Sequence, residues 1–261
     1  MKISIIGAGA MGGAIVEGLI NGRFIERGDI CVSDASRHAV ERFADSGVNI
    51  TTENHVAAMG GDIVMVVVKP WLVEQVLHQI KGVLDYDKQQ LVVVAAGIKS
   101  EQLKEWMLKD GNLPAMSLAI PNIAIAQGAS MTFLVPVTGK PTHTEQVQAL
   151  FDSMGQTIIT EEKLLGAGTT LASCGIAYAM RYIRAAAEGG VELGFKADLA
   201  KNIVLQTMEG AVKLLQATDL HPEAAIDLVT TPGGVTIKGL NEMEHAGFTS
   251  AVIRGLKAGA K

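Results

Sequence analysis

The chain has 261 residues, 48% of them hydrophobic, with 22 basic and 27 acidic side chains and a net charge of −5. That length allows one large domain or two modest ones, and the apolar share supports a sizeable core and excludes wholesale disorder. No basic run is present, which excludes a nucleic-acid footprint. The two cysteines, Cys31 and Cys174, stand far apart and point to a reducing compartment rather than a disulfide framework.

The opening "MKISIIGAGAMGGAIVEGLI" superficially resembles a signal peptide. Glycines cut its apolar run, and Glu17 falls where a small-residue cleavage site would stand. No apolar stretch reaches bilayer-spanning length, so the expectation is a cytoplasmic protein with no membrane partner. Lys2 to Ile6 suits a buried parallel strand, the turn Gly7, Ala8, Gly9, Ala10, Met11, Gly12 follows, and "GAIVEGLI" has helical spacing. Strand, glycine turn and helix in this order form a dinucleotide-binding unit. Gly7 permits the turn, Gly9 admits the pyrophosphate and Gly12 lets helix approach strand. A second strand, "DICVSD", ends at Asp34, at about the twenty-residue distance of a ribose-binding acid. Asp34 favours NAD by repelling a 2′-phosphate, whereas Ser33, Ser36 and Arg37 in the same loop suit a phosphate; the sequence argues both ways.

"DIVMVVVKP" (Asp62 to Pro70) predicts a central strand stopped by Pro70, with Lys69 at its carboxyl end, where open α/β sheets bind ligands. "WLVEQVLHQIKGVL" predicts a helix and "QQLVVVAAGI" a further strand. Its small end, Ala95, Ala96 and Gly97, leaves room for a flat ring or serves close packing of strand on helix. "MSLAIPNIAIAQGASMTFLVP" predicts two more strands around Pro121 and Asn122. A helix from Thr144 to Met154 and the strand "QTIIT" close a dinucleotide-binding domain over residues 1–160.

From residue 161 to 261 strand patterns vanish. "GTTLASCGIAYAMRYIRAAAEGGVELG" is apolar or small around most of its circumference and needs burial on all sides. About a hundred residues of helix scarcely enclose it, which points to a homodimer, the alternative being the central helix of a monomeric bundle. The predicted fold class is therefore α/β, an N-terminal Rossmann-type parallel-sheet domain followed by an all-α dimerisation domain. The six histidines are scattered, and neither HExxH, GxSxG nor CxxC occurs, so no metal site is supported. Near the end, "TPGGVT" (Thr231 to Thr236) opens a helical run. Successive amides from Gly233, Gly234, Val235 and Thr236 at a helix start form an anion-binding nest, or an ordinary Pro-Gly turn with an N-cap.

With these stretches in hand, the chain resembles the Δ1-pyrroline-5-carboxylate reductases, the last enzymes of proline synthesis. The likeness is carried by Gly7 to Gly12, by "VKP" (Val68, Lys69, Pro70), by "AAG" (Ala95 to Gly97), by "IPN" ending at Asn122, by "ASCGIAY" and by "TPGGVT". It departs from the family pattern at Leu118, Ile123, Ala124, Cys174, Ile176 and Arg184. The resemblance implies reduction of a small cyclic imino acid by NADPH, with NADH left open by Asp34. It implies Thr236 as the catalytic hydroxyl beside the ring nitrogen, Glu162 near the substrate, and Asn54 near the adenosine end of the cofactor. It also implies a homodimer, sometimes gathered into a ring of dimers. The competing readings are a related imine or hydroxyacid dehydrogenase, and a nicotinamide-binding regulatory protein without catalysis.

Overall fold

The run beginning at Ile3 has no exposed position and forms β1 (Ile3–Ile6). In the structure, a computed structural model describing residues 1–260, it is an interior strand of one sheet. The chain continues through α1 (Ala10–Gly22), β2 (Ile30–Ser33), α2 (Arg37–Glu41), β3 (Asn49–Thr51), α3 (Asn54–Gly60), β4 (Ile63–Val66) and α4 (Val73–Lys81). It then forms β5 (Gln90–Val93), α5 (Ser100–Met107), β6 (Ala115–Ile120), β7 (Ser130–Thr138), α6 (Pro141–Asp152), β8 (Gly155–Ile159) and the short α7 (Leu165–Gly168).

Eight strands pair in the order β3-β2-β1-β4-β5-β6-β7-β8. All pairs are parallel except β6 with β7. Strand order reverses between β1 and β4, and ligands of doubly wound sheets lie in the crevice that such a reversal opens. Alternation along the strands feeds two cores. Ile3, Ile5 and Met65 pack with Ile15, Leu19 and Phe151 in one, while Ile6, Val64 and Val66 pack with Val73, Leu77 and Ile80 in the other. A sheet covered on both faces explains why its central strands read as unbroken apolar runs.

The sheet corrects several predicted limits. The strand expected over Asp62 to Pro70 leaves the ladder after Val66. Its neighbour β1 ends at Ile6, so beyond a last bond from the Val67 amide to the Ile6 carbonyl (2.8 Å) there is no strand on that side to pair with. The helix expected from Trp71 begins at Val73, after a 3₁₀ turn over Pro70–Leu72. The helix expected from Thr144 starts at Pro141, whose fixed φ and missing N–H suit a first helical position.

The residues from Cys174 onward form a second unit, entirely helical. It holds α8 (Gly175–Glu192), α9 (Ala197–Thr218), α10 (Pro222–Leu228), α11 (Val235–His245) and α12 (Phe248–Gly259). A Cβ on Gly190 would lie 3.0 Å from that of Ala200, so α8 and α9 pack closely, and Tyr182 meets Phe248 edge-on at 6.3 Å. Among the described residues of this unit, only Ala200 and Ala225 are buried apolar side chains. Met180, Leu199, Ile203, Leu205, Val212 and Ile253 are all exposed. Among the described residues no helix is long and apolar enough to cross a membrane.

Candidate active site

The glycine turn is shaped by the strands around it. Gly7 has φ of 109°, a region where only glycine rests without strain, and a Cβ on it would strike the carbonyl of Val67. A Cβ on Gly12 would strike the carbonyl of Gly7, so the first turn of α1 sits directly on the loop. Gly9 faces open space. The helix has no side-chain cap, and its first internal bond runs from the Gly13 amide to the Gly9 carbonyl (2.8 Å). The amides of Ala10, Met11 and Gly12 therefore remain free at the positive end of the helix dipole. Free amides, a helix N-terminus and an uncluttered Gly9 fit a dinucleotide diphosphate.

A cavity of about 490 Å³ opens beside this turn, at the reversal of strand order. It brings together Gly7, Gly9, Ala10 and Met11, then Asp34, then Val68, Lys69 and Pro70, and finally Ala95 and Ala96. Its far wall comes from Ile120, Pro121, Ile123, Thr169 and Ser173. Its wall is mostly apolar, which suits the flat face of a ring, and its amides and one carboxylate suit the polar ends.

Asp34 is held at both oxygens, accepting from the amides of Ala8 (2.7 Å) and Ser36 (2.8 Å). Ser33 is fully buried, and its hydroxyl donates to Asn54 (2.8 Å), whose amide nitrogen donates in turn to Gln79 (2.8 Å). This relay braces the carboxyl end of β2 from α3 and α4. Ser33, Asn54, Ala8, Gly12, Ser36, Gly97 and Asn122 lie outside the cavity's lining. Asn122 is buried; its side-chain oxygen accepts from the Ala124 amide (3.0 Å), and its own amide donates to Ser130 (3.1 Å). Arg37, which the sequence left open between a phosphate contact and a solvated loop cation, pairs with Glu41 at 2.7 Å on the surface. Glu162 accepts from the Ser100 amide (3.0 Å) at the start of α5, three residues past Gly97.

Neither Thr169 nor Ser173, the latter inside "ASCGIAY", was assigned to the site from the sequence, where they look like small polar breaks in an apolar run. A π-helical segment, Thr169–Cys174, precedes α8, and both residues line the cavity. The Ser173 hydroxyl donates to the Pro121 carbonyl at 3.0 Å, and that of Thr169 to the Leu165 carbonyl at 2.7 Å. Single π turns inside helices are rare and recur at functional sites, but sequence patterning does not announce them.

In the second unit, Thr231 to Gly234 form a tight turn. Pro232 precedes Gly233, whose φ is 71°, and the Gly234 amide donates to the Thr231 carbonyl at 2.9 Å, the pattern of a type II turn. Gly234 caps α11 with no side-chain hydrogen bond, leaving the amides of Val235 and Thr236 free. Val235 and Thr236 are exposed in the single chain. Bare amide donors at a helix start are suited to an anion rather than to proton chemistry. Among the described residues no group of three or more His, Cys, Asp or Glu could hold a metal.

The chain matches known proteins along its whole length. A family model described as pyrroline-5-carboxylate reductase dimerisation matches residues 162–261, and one described as NADP oxidoreductase, coenzyme F420-dependent, matches residues 2–97. The chain is 36% identical to pyrroline-5-carboxylate reductase 1 of Dictyostelium discoideum over 97% of its own length, spanning about half (48%) of that relative. It is 33% identical to pyrroline-5-carboxylate reductase 2 of the same organism, covering 100% of this chain and 91% of that one. Among solved structures, the pyrroline carboxylate reductase of Plasmodium falciparum with NADP bound superposes with a TM-score of 0.89 at 26% identity, covering 100% of this chain and 95% of that one.

Proposed function

The chain belongs to the pyrroline-5-carboxylate reductase family, and on that premise we propose that it reduces Δ1-pyrroline-5-carboxylate to L-proline, the last step of proline synthesis. The observation that carries this reading is that the glycine turn and the small end of β5 open onto one cavity at the reversal of strand order. NADPH or NADH supplies a hydride to the carbon of the C=N bond. The loop Gly7 to Gly12, with the first amides of α1, holds the diphosphate. Asp34 and Ser36 border the adenosine ribose, with Ser33 and Asn54 bracing that end. Val68, Lys69 and Pro70 hold the middle of the cofactor, and Ala95, Ala96, Gly97 and Asn122 border the nicotinamide end.

The substrate's carboxylate calls for donors rather than a base. In this reading the amides of Gly233, Gly234, Val235 and Thr236, following the turn from Thr231, grip it at the N-terminus of α11. The Thr236 hydroxyl donates to the ring nitrogen, where a lone pair develops as the C=N bond becomes a C–N bond. A protonated imine is already an electron sink, so no lysine or histidine is needed to polarise it. Glu162, anchored on the Ser100 amide, borders the substrate as an acceptor.

The division of labour is a dinucleotide-binding domain over 1–160 and a helical substrate-binding and dimerisation domain over 161–261. The protein acts as a homodimer, which supplies the cover that the helical unit lacks. A further ring of dimers, a cytoplasmic location and the absence of a nucleic-acid partner complete the reading. The test is steady-state oxidation of NADPH and of NADH by the purified protein with Δ1-pyrroline-5-carboxylate. Turnover dependent on the imine, with proline as product, is expected; nucleotide binding without turnover would return the chain to a regulatory role.

A further inference from the structure

We infer that Arg42 is a positioning residue for the dinucleotide loop, an inference that rests on the cofactor reading above. Arg42 lies eight residues beyond Asp34, outside the glycine motif and just past α2. Its Nη2 donates to the carbonyls of Ala8 (3.2 Å) and Gly9 (3.4 Å), the second and third residues of the loop. The guanidinium lies over the buried ring of Phe43, 4.5 Å from its centroid, which fixes its height and tilt.

Gly13 provides the place for it. A Cβ on Gly13 would fall on the Arg42 guanidinium. Gly13 has no positive φ that would call for glycine, and it is not one of the motif's three glycines. A glycine inside a helix costs about 1 kcal/mol relative to alanine. Room for Arg42 is the contact that explains its presence.

The consequence for the loop follows from peptide planarity. In a trans peptide the N–H points opposite to the C=O that shares its plane, and among the described residues there is no cis bond. Drawing the Ala8 carbonyl toward Arg42 turns the Gly9 amide the other way; the Gly9 carbonyl, already held by the Gly13 amide (2.8 Å), takes the longer Arg42 bond (3.4 Å) as a second tie and keeps the Ala10 amide on the same side. Gly9 and Ala10 line the cavity. Asp34 holds the Ala8 amide from its own side (2.7 Å), so Ala8 is tied at both its N–H and its C=O. Arg42 thus fixes the aim of the donors without itself touching the diphosphate, and it serves NADH and NADPH equally.

The experiment is nucleotide binding to the purified full chain, measured by calorimetric titration with NADH and with NADPH, alongside thermal melting and the split of KM against kcat. Arg42→Ala is expected to raise both dissociation constants about tenfold, equivalent to about 1.4 kcal/mol, with the kinetic loss falling on the cofactor's KM. Arg42→Lys restores part of the loss, since one ammonium reaches a single carbonyl. Gly13→Ala keeps Arg42 and favours the helix, yet displaces the guanidinium, and is expected to reproduce the weakening without a lower melting temperature. Unchanged binding in Arg42→Ala or in Gly13→Ala overturns the inference, as does a loss confined to NADPH, which would make Arg42 a 2′-phosphate ligand. A wild-type chain that binds neither nucleotide would instead overturn the cofactor reading.

Discussion

Both carboxylate oxygens of Asp34 accept backbone amides, so the residue that would repel a 2′-phosphate also fastens the glycine turn. The sequence showed Asp34 at the right distance for a ribose; its second task was hidden, because hydrogen bonds to backbone leave no trace in residue identity. Ser33 and Asn54 make the same point, since their mutual bond braces the end of β2 where sequence reasoning assigned them to the cofactor. Thr236 stands in the first turn of α11 and is exposed in the single chain. Thr236→Ala is expected to lower kcat by about ten- to a thousandfold, the range for losing one donor aimed at developing charge, measured by steady-state kinetics at saturating imine. Away from the site, the Tyr86 hydroxyl donates to the Met107 carbonyl at 2.7 Å, and burial pushes its pKa from 10.0 up to about 12. The neutral phenol is the form the fold prefers. Its contribution is therefore complete below pH 10 and is lost as the pH rises toward 12. Tyr86→Phe is expected to cost about 1 kcal/mol at neutral pH and to flatten that alkaline decline, as followed by urea melts across the pH range.

The unit formed by β1, the glycine turn and α1 was the most legible element, because strand pattern, glycine spacing and helix pattern agreed and each left its mark in residue type. Strand ends were less legible. "VMVVVKP" is β-branched to its last residues, but pairing stops when the neighbour turns away, and that depends on β1 rather than on the sequence of β4. The freed Val67 and Val68 line the cavity instead. The π-helical entry to α8 was invisible for a similar reason, its geometry being set by packing and not by composition. Gly7 joins the strand, the turn and β4, for its missing side chain lets the Val67 carbonyl approach. Gly7→Ala is expected to destabilise the fold by about 1–3 kcal/mol through positive-φ strain and the clash with that carbonyl, seen as a lower midpoint in thermal melting and weaker nucleotide binding.

Over the whole molecule, the division between sheet and helices was readable from the point where strand patterns cease, and the need for a partner from an apolar helix that too few residues could cover. In the single chain α8 has no buried residue, and Met180 on it is 58% exposed. Exposed apolar surface on this scale marks an association face, and the match to a dimerisation family over residues 162–261 agrees with it. Met180→Glu is expected to shift the protein from dimer toward monomer in light scattering at micromolar concentration, with loss of turnover; an intact dimer would place the interface elsewhere. The most direct test of the whole account is a crystal structure of the protein with NADPH and L-proline. The account predicts the proline carboxylate on the amides of residues 233–236 and the nicotinamide beside Ala95 and Ala96. A carboxylate bound far from the terminal turn would contradict it.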